Sequence, residues 1–123
     1  MRPRKLAVED KAERLKNEIL SRGYELSLAF VDRRTSRRLN KTYRGKDKST
    51  NVLSFPISKK SGEIIIDLDT AKKESAKFGM SFQKFVEYLF IHGLLHLKGM
   101  RHGAKMDQLE LKLLNGTSNR SRN

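Results

Sequence analysis

Ser81-Phe82-Gln83-Lys84-Phe85-Val86-Glu87-Tyr88-Leu89-Phe90-Ile91-His92-Gly93-Leu94-Leu95-His96-Leu97-Lys98-Gly99-Met100-Arg101-His102 is the stretch on which the reading of this chain turns. Ser81 is a residue type that caps a helix, and the apolar Phe82, Phe85, Val86, Leu89 and Phe90 recur at helical spacing up to His92. The spacing therefore predicts the longest helix of the protein here. Residues four apart on a helix are separated by about 40° around the axis and about 6 Å along it, so His92 and His96 present their imidazoles to one point. A continued helix would carry His102 about 15 Å beyond His92 and off that face. The chain must turn, and Gly99 is the residue type suited to the left-handed conformation that ends a helix and folds the next segment back.

Upstream, Val8, Ala12, Leu15 and Ile19 mark an amphipathic first helix, with Gly23 where a C-terminal cap is expected. Tyr24, Leu26, Leu28 and Phe30 alternate, which predicts a strand ending near Val31. A short helix is expected from about Thr35 to Tyr43, crowded by arginines and lysines. The polar loop Arg44 to Thr50 then leads into a strand, Asn51 to Phe55, stopped by Pro56. The apolar run Ile64-Ile65-Ile66 within Glu63 to Asp67 reads as a central strand covered on both faces. Asp69 or Thr70 is expected to cap a helix to Phe78, with Gly79 ending it. A last helix is expected from about Lys105 to Leu114, closed by Gly116. Helices and strands in this mixed order, without repeats or a dividing linker, predict one α+β domain over residues 1–116 and a loose basic tail over 117–123.

All three histidines of the protein lie in the opening stretch, at the spacing H-x-x-x-H-x-x-G-x-x-H. That is the metal-ligand frame of the metzincin proteases, glycine included, and it makes His92, His96 and His102 the expected metal ligands. Three neutral imidazoles leave a divalent ion its full charge and an open position, the arrangement that brings the pKa of bound water to around 7 in zinc enzymes. Zinc is the expected ion, although the same nitrogen donors suit nickel, copper or cobalt. Metzincins place a glutamate general base directly after the first histidine; here that residue is Gly93, which transfers no proton. The candidates for another base are Asp47, Glu63 and Asp67.

The 123 residues fall within the range of one domain, and 37% hydrophobic against 33% charged residues provide a core under a heavily charged surface. Without cysteine there are no disulfides or thiolate ligands. No run approaches the roughly 20 apolar residues that span a bilayer, so the chain is expected to be soluble, cytoplasmic and without a membrane partner. Lys and Arg number 27 against 14 Asp and Glu, a net charge of +13 that attracts polyanions, nucleic acid foremost.

Leu39-Asn40-Lys41-Thr42-Tyr43-Arg44-Gly45-Lys46-Asp47-Lys48-Ser49-Thr50-Asn51-Val52-Leu53-Ser54-Phe55-Pro56 resembles the first signature of the YbeY endoribonucleases of rRNA maturation. The segment from His92 to His102 resembles the second, and Ser61-Gly62-Glu63-Ile64-Ile65-Ile66 resembles the strand between them. The resemblance implies a small mixed sheet of about four strands flanked by helices and a three-histidine metal site. It also implies cleavage of single-stranded RNA at the 3′ end of the small-subunit rRNA, and partnership with that subunit, with one of its ribosomal proteins and with the GTPase Era. Carried over, it makes Arg44 the arginine that engages the RNA phosphate near the metal, a role suited to a planar, always charged guanidinium. Met100-Arg101 stands where the family usually has Tyr-Asp, Ser49 replaces a proline, and Glu63 replaces an aspartate. The alternatives are a non-catalytic RNA-binding assembly factor with a structural or vestigial metal, and a metalloprotease.

Overall fold

A computed structural model describes residues 6–121, with side chains over 6–116. Among the described residues five helices and three strands follow one another as α1 (Ala7–Ile19), β1 (Glu25–Val31), α2 (Arg33–Arg44), β2 (Val52–Ser58), β3 (Ser61–Asp67), α3 (Leu68–Lys77), α4 (Phe82–Leu97) and α5 (Ala104–Ser121). The sheet is mixed: β3 lies in the middle, parallel to β1 and antiparallel to β2. The α+β class and the mixed sheet are as expected, but the described residues hold three strands, not about four.

The triple isoleucine sits in the central strand, where both faces are covered and both classes of position are apolar. Alternation sends Ile64 toward α4, where it meets Gly93, and Asp67 toward α2, where it meets Ser36. The main core lies on the α4 side, with Ile64 and Ile66 packed among Phe85, Leu89, Phe90 and Leu94 and against Val8 and Leu15 of α1. Burial of each such side chain contributes about 1.5–3 kcal/mol.

Several boundaries differ from the sequence expectation. Pro56 does not stop β2, which continues to Ser58 with an irregularity between those residues. The strand is at the sheet edge, where a residue lacking an N–H is tolerated. Asp67, not Asp69 or Thr70, caps α3 by accepting from the Thr70 amide at 2.8 Å, while Asp69 accepts from the Arg33 amide at the start of α2. Helix α1 ends at Ile19 with Leu20 as its C-cap, ahead of Gly23. Helix α5 continues through Gly116 to Ser121, into the segment expected to be a tail; residues 1–5 and 122–123 lie outside the described residues.

Candidate metal centre

Helix α4 begins as expected at Ser81, whose hydroxyl accepts from the Lys84 amide at 3.2 Å. Its far end closes in paired reversed hydrogen bonds: the Met100 amide donates to the Leu95 carbonyl at 3.0 Å and the Gly99 amide to the His96 carbonyl at 2.9 Å. Gly99, at φ 103°, carries the turn that a side chain would strain. The chain doubles back at that turn and returns His102 to the face that already holds His92 and His96.

The three imidazoles converge through Nε2. His96 Nε2 lies 3.1 Å from His92 Nε2 and 3.2 Å from His102 Nε2, and a donor atom from each residue falls within 4.8 Å of the others. Three nitrogens on a tetrahedral zinc at the usual bond length of about 2.0–2.1 Å stand about 3.3–3.4 Å apart, so this tripod fits an ion of that size with little adjustment. His92 and His96 are half-buried and His102 is exposed, which leaves one side of the tripod open to solvent.

The second ring nitrogens of His92 and His96 are engaged behind the tripod. His92 Nδ1 hydrogen-bonds Glu110 Oε2 on α5, and the Met100 backbone hydrogen-bonds His96. A carboxylate accepting from Nδ1–H fixes the tautomer that presents Nε2 as a lone pair. Burial, with repulsion from His102 second, holds His92 down to about 4. His96 is also lowered, by burial and then by its two neighbours. Both rings are therefore neutral at ordinary pH, the form in which an imidazole can bind a metal. Glu110 is 2% exposed and its carboxyl is pushed up, first by burial and then by Asp107; the Tyr88 hydroxyl also bonds it. Asp107, exposed and one turn earlier on α5, acts electrostatically on both His92 and Glu110.

Gly93 has a packing role. A Cβ there would stand 3.0–3.2 Å from three carbons of Ile64, so α4 sits on the central strand with no room for the glutamate a metzincin carries. The three base candidates have their side-chain partners elsewhere than the tripod. Asp67 is buried and accepts from the Ser36 and Thr70 hydroxyls at 2.6 Å. Asp47 pairs with Arg37 at 2.9 Å, which holds its carboxyl below the usual range. Glu63 faces away from α4 and accepts from Ser27 at 3.4 Å.

Arg44 is the last residue of α2 and is exposed. Among the described residues it has no hydrogen bond or ion pair to the tripod. Arg33, Arg34, Arg37, Arg38, Lys41, Lys46 and Lys48 are exposed on the same helix and the loop after it. Several of them, with Asp47 and Ser49, line a cleft of about 540 Å³. The carboxylate that does touch the tripod, Glu110, escapes a reading of the sequence, where only its helical spacing from Met106 and Leu114 is visible.

A family profile described as Endoribonuclease YbeY matches residues 4–118. Curated relatives of that name are 41% identical over 101 residues in Myxococcus xanthus (75% of this chain, 34% of that protein) and 40% identical over 96 residues in Caldanaerobacter subterraneus (63% and 61%). The relative in Aquifex aeolicus is 38% identical over 105 residues, 80% of this chain and 70% of that protein. The chain thus spans less than two thirds of the first two. A structural-genomics target from Thermotoga maritima, solved in solution, superposes with a TM-score of 0.65 at 25% identity, over 94% of this chain and 85% of that one.

Proposed function

The chain belongs to the endoribonuclease YbeY family, and on that premise we propose that it is a metal-dependent endoribonuclease that cleaves single-stranded RNA in maturation and quality control of the small ribosomal subunit. The observation that carries the reading is the tripod of His92, His96 and His102 with one open side. Zinc is the ion we assign to it. A divalent ion held there supplies Lewis-acid polarisation of a phosphoryl oxygen and acidifies water near neutral pH.

The chain's own residues account for the remaining requirements. Glu110 and the Met100 backbone orient two ligands and keep them in the metal-binding tautomer. The exposed cations of α2 and its following loop hold the phosphate backbone, and Arg44 among them is the proposed catalytic residue, donating to the phosphate oxygens as charge grows there. Among the described residues no helix is long and apolar enough to cross a membrane. The rRNA, the small subunit, a ribosomal protein of it and Era are the proposed partners, in the cytoplasm.

One feature favours a second reading. Arg101 stands where the family usually has an aspartate, and an assembly factor that binds RNA around a structural metal would tolerate that exchange. Metal content of the purified protein, measured with RNase activity before and after chelation, separates the two. Cleavage lost on chelation and restored by zinc supports the enzyme; salt-sensitive RNA binding without metal-dependent cleavage supports the assembly factor. Peptide turnover without RNA turnover would overturn both.

A further inference from the structure

Strand β2 forms one edge of the sheet, and apolar side chains there are left in water. Tyr43, next to last in α2, is 63% exposed and Ile57 of β2 is 69% exposed. The Tyr43 ring leans on Phe55 with centroids 4.9 Å apart and planes at 48°, so part of one face is backed while most of the ring meets solvent. Such a ring contributes little to the core. Its surroundings are cationic: Lys41, Arg44 and Lys46 are all exposed beside it in the chain. An aromatic surface ringed by cations suits a polyanion with π faces, and an apolar protein partner would not need the charge.

The edge also adjoins the metal site. Gly93 points at Ile64 of the sheet, so His92 lies about 100° and His96 about 60° round α4 to the same side, with Phe90 and Leu94 on the other, buried side. Parallel pairs joined in this way cross over right-handedly as a rule, and with α4 running back along β3 from Gly93 at Ile64 to Leu97 at Gly62, and packed on β2 as well, that hand turns the histidine flank toward β2. The tripod and Tyr43 therefore stand on the two sides of one strand edge.

We propose that Tyr43, backed by Phe55, is a stacking platform for one unpaired nucleobase of the RNA strand whose phosphate lies at the tripod. A base in a duplex has both faces covered by its neighbours and cannot lie on the ring, so the platform selects single strands. The proposal rests on the ribonuclease reading and adds a specificity-determining residue to it.

The chain contains no tryptophan, so Tyr43→Trp places a single fluorescent reporter on the platform. Single-stranded oligoadenylate should quench it, and an abasic ribose-phosphate oligomer of equal length should not. Tyr43→Ala should weaken oligoadenylate binding by about 5- to 150-fold, the range of one lost stack, and leave affinity for the abasic oligomer unchanged. Equal losses on both oligomers, or no loss where the native protein binds, would overturn the platform and leave the ribonuclease reading standing. A change of oligomeric state with RNA affinity intact would assign the patch to a second copy instead. Failure of the native protein to bind or cleave any RNA would remove both readings. Thermal melting checks that the variants fold; should Tyr43→Ala not fold, quenching of Tyr43→Trp decides.

Discussion

Glu110→Gln and Glu110→Ala should separate metal affinity from fold stability, with opposite signs in the metal-loaded and metal-free protein. Glu110 is 2% exposed, bonds His92 Nδ1 and receives the Tyr88 hydroxyl, so it has exchanged water for two partners. Removing the carboxylate frees the His92 ring to rotate and to place its proton on Nε2, where it blocks the metal. Loss of such a supporting group typically lowers metal affinity 10- to 100-fold, or about 1.4–2.7 kcal/mol. Glutamine keeps the shape and an acceptor for Nδ1–H, so Glu110→Gln should fall at or below the low end of that range and Glu110→Ala toward the high end. Without metal the balance reverses for glutamine. Burial pushes the Glu110 carboxyl up, the mark of a charge held at a cost, and a neutral isostere is relieved of that cost. Metal-free Glu110→Gln should therefore melt at or above the native temperature while binding zinc less tightly. Competition against a chromophoric chelator measures the affinity, and calorimetry of both forms measures stability. A folded Glu110→Ala variant that binds zinc within about twofold of the native protein would show the reasoning to be wrong, the general expectation being at least tenfold.

His96→Ala should abolish stoichiometric metal in elemental analysis, because His96 Nε2 is the atom within 3.2 Å of both other ligands. Gly93→Ala drives a Cβ into Ile64 at 3.0–3.2 Å; overpacking of about 1–3 kcal/mol should outweigh the helix-propensity gain of up to about 1 kcal/mol, lowering the melting temperature, and an unchanged one would mean that Ile64 yields. Stability of the metal-free protein should fall as pH drops from about 6.5 toward 4. His92 and His96 are lowered in the fold, so below the ordinary histidine value the unfolded chain binds more protons, while the raised Glu110 opposes this in the carboxylate range; denaturant midpoints that do not fall between pH 7 and 5 would contradict the assignment. Arg44→Ala should slow RNA cleavage by about 10²- to 10³-fold with a far smaller loss of RNA affinity, because the other exposed cations still hold the strand; equal losses in rate and affinity would make Arg44 a binding residue only.

The parts of the site legible in the sequence are those specified locally. Two histidines four apart and a glycine three residues after the second encode a helix, its end and a reversal, and the structure has each of them. Ser81 needed only its position before an apolar-periodic run. What escaped depends on distant pairing. Glu110 meets His92 across 18 residues, and no periodicity distinguishes its carboxylate from the other charged positions of α5. Asp67 looks like a free acid in the sequence, yet it is spent on the Ser36 and Thr70 hydroxyls where β3 gives way to α3. Gly93 reads as an absent base until Ile64 is seen against it. Pro56 reads as a stop because the sequence does not reveal that β2 has an unpaired edge. Gly116 reads as a cap, although a glycine within a helix costs only about 1 kcal/mol and α5 runs on.

Helix α5 packs chiefly on α4, and at the tripod it is fastened by the Glu110 link to His92 and, just before its first turn, by His102. An ion shared among His92, His96 and His102 would therefore clasp α5 to the body of the protein. Opening of α5 would have to break that coordination, so metal occupancy raises the free energy of this local opening above that of an empty clasp. Amide exchange along α5 should slow on zinc loading far more than exchange in β3. A cell's proteases, which act on segments that open, would then remove the metal-starved protein first, making the same three histidines a record of whether the protein had been loaded.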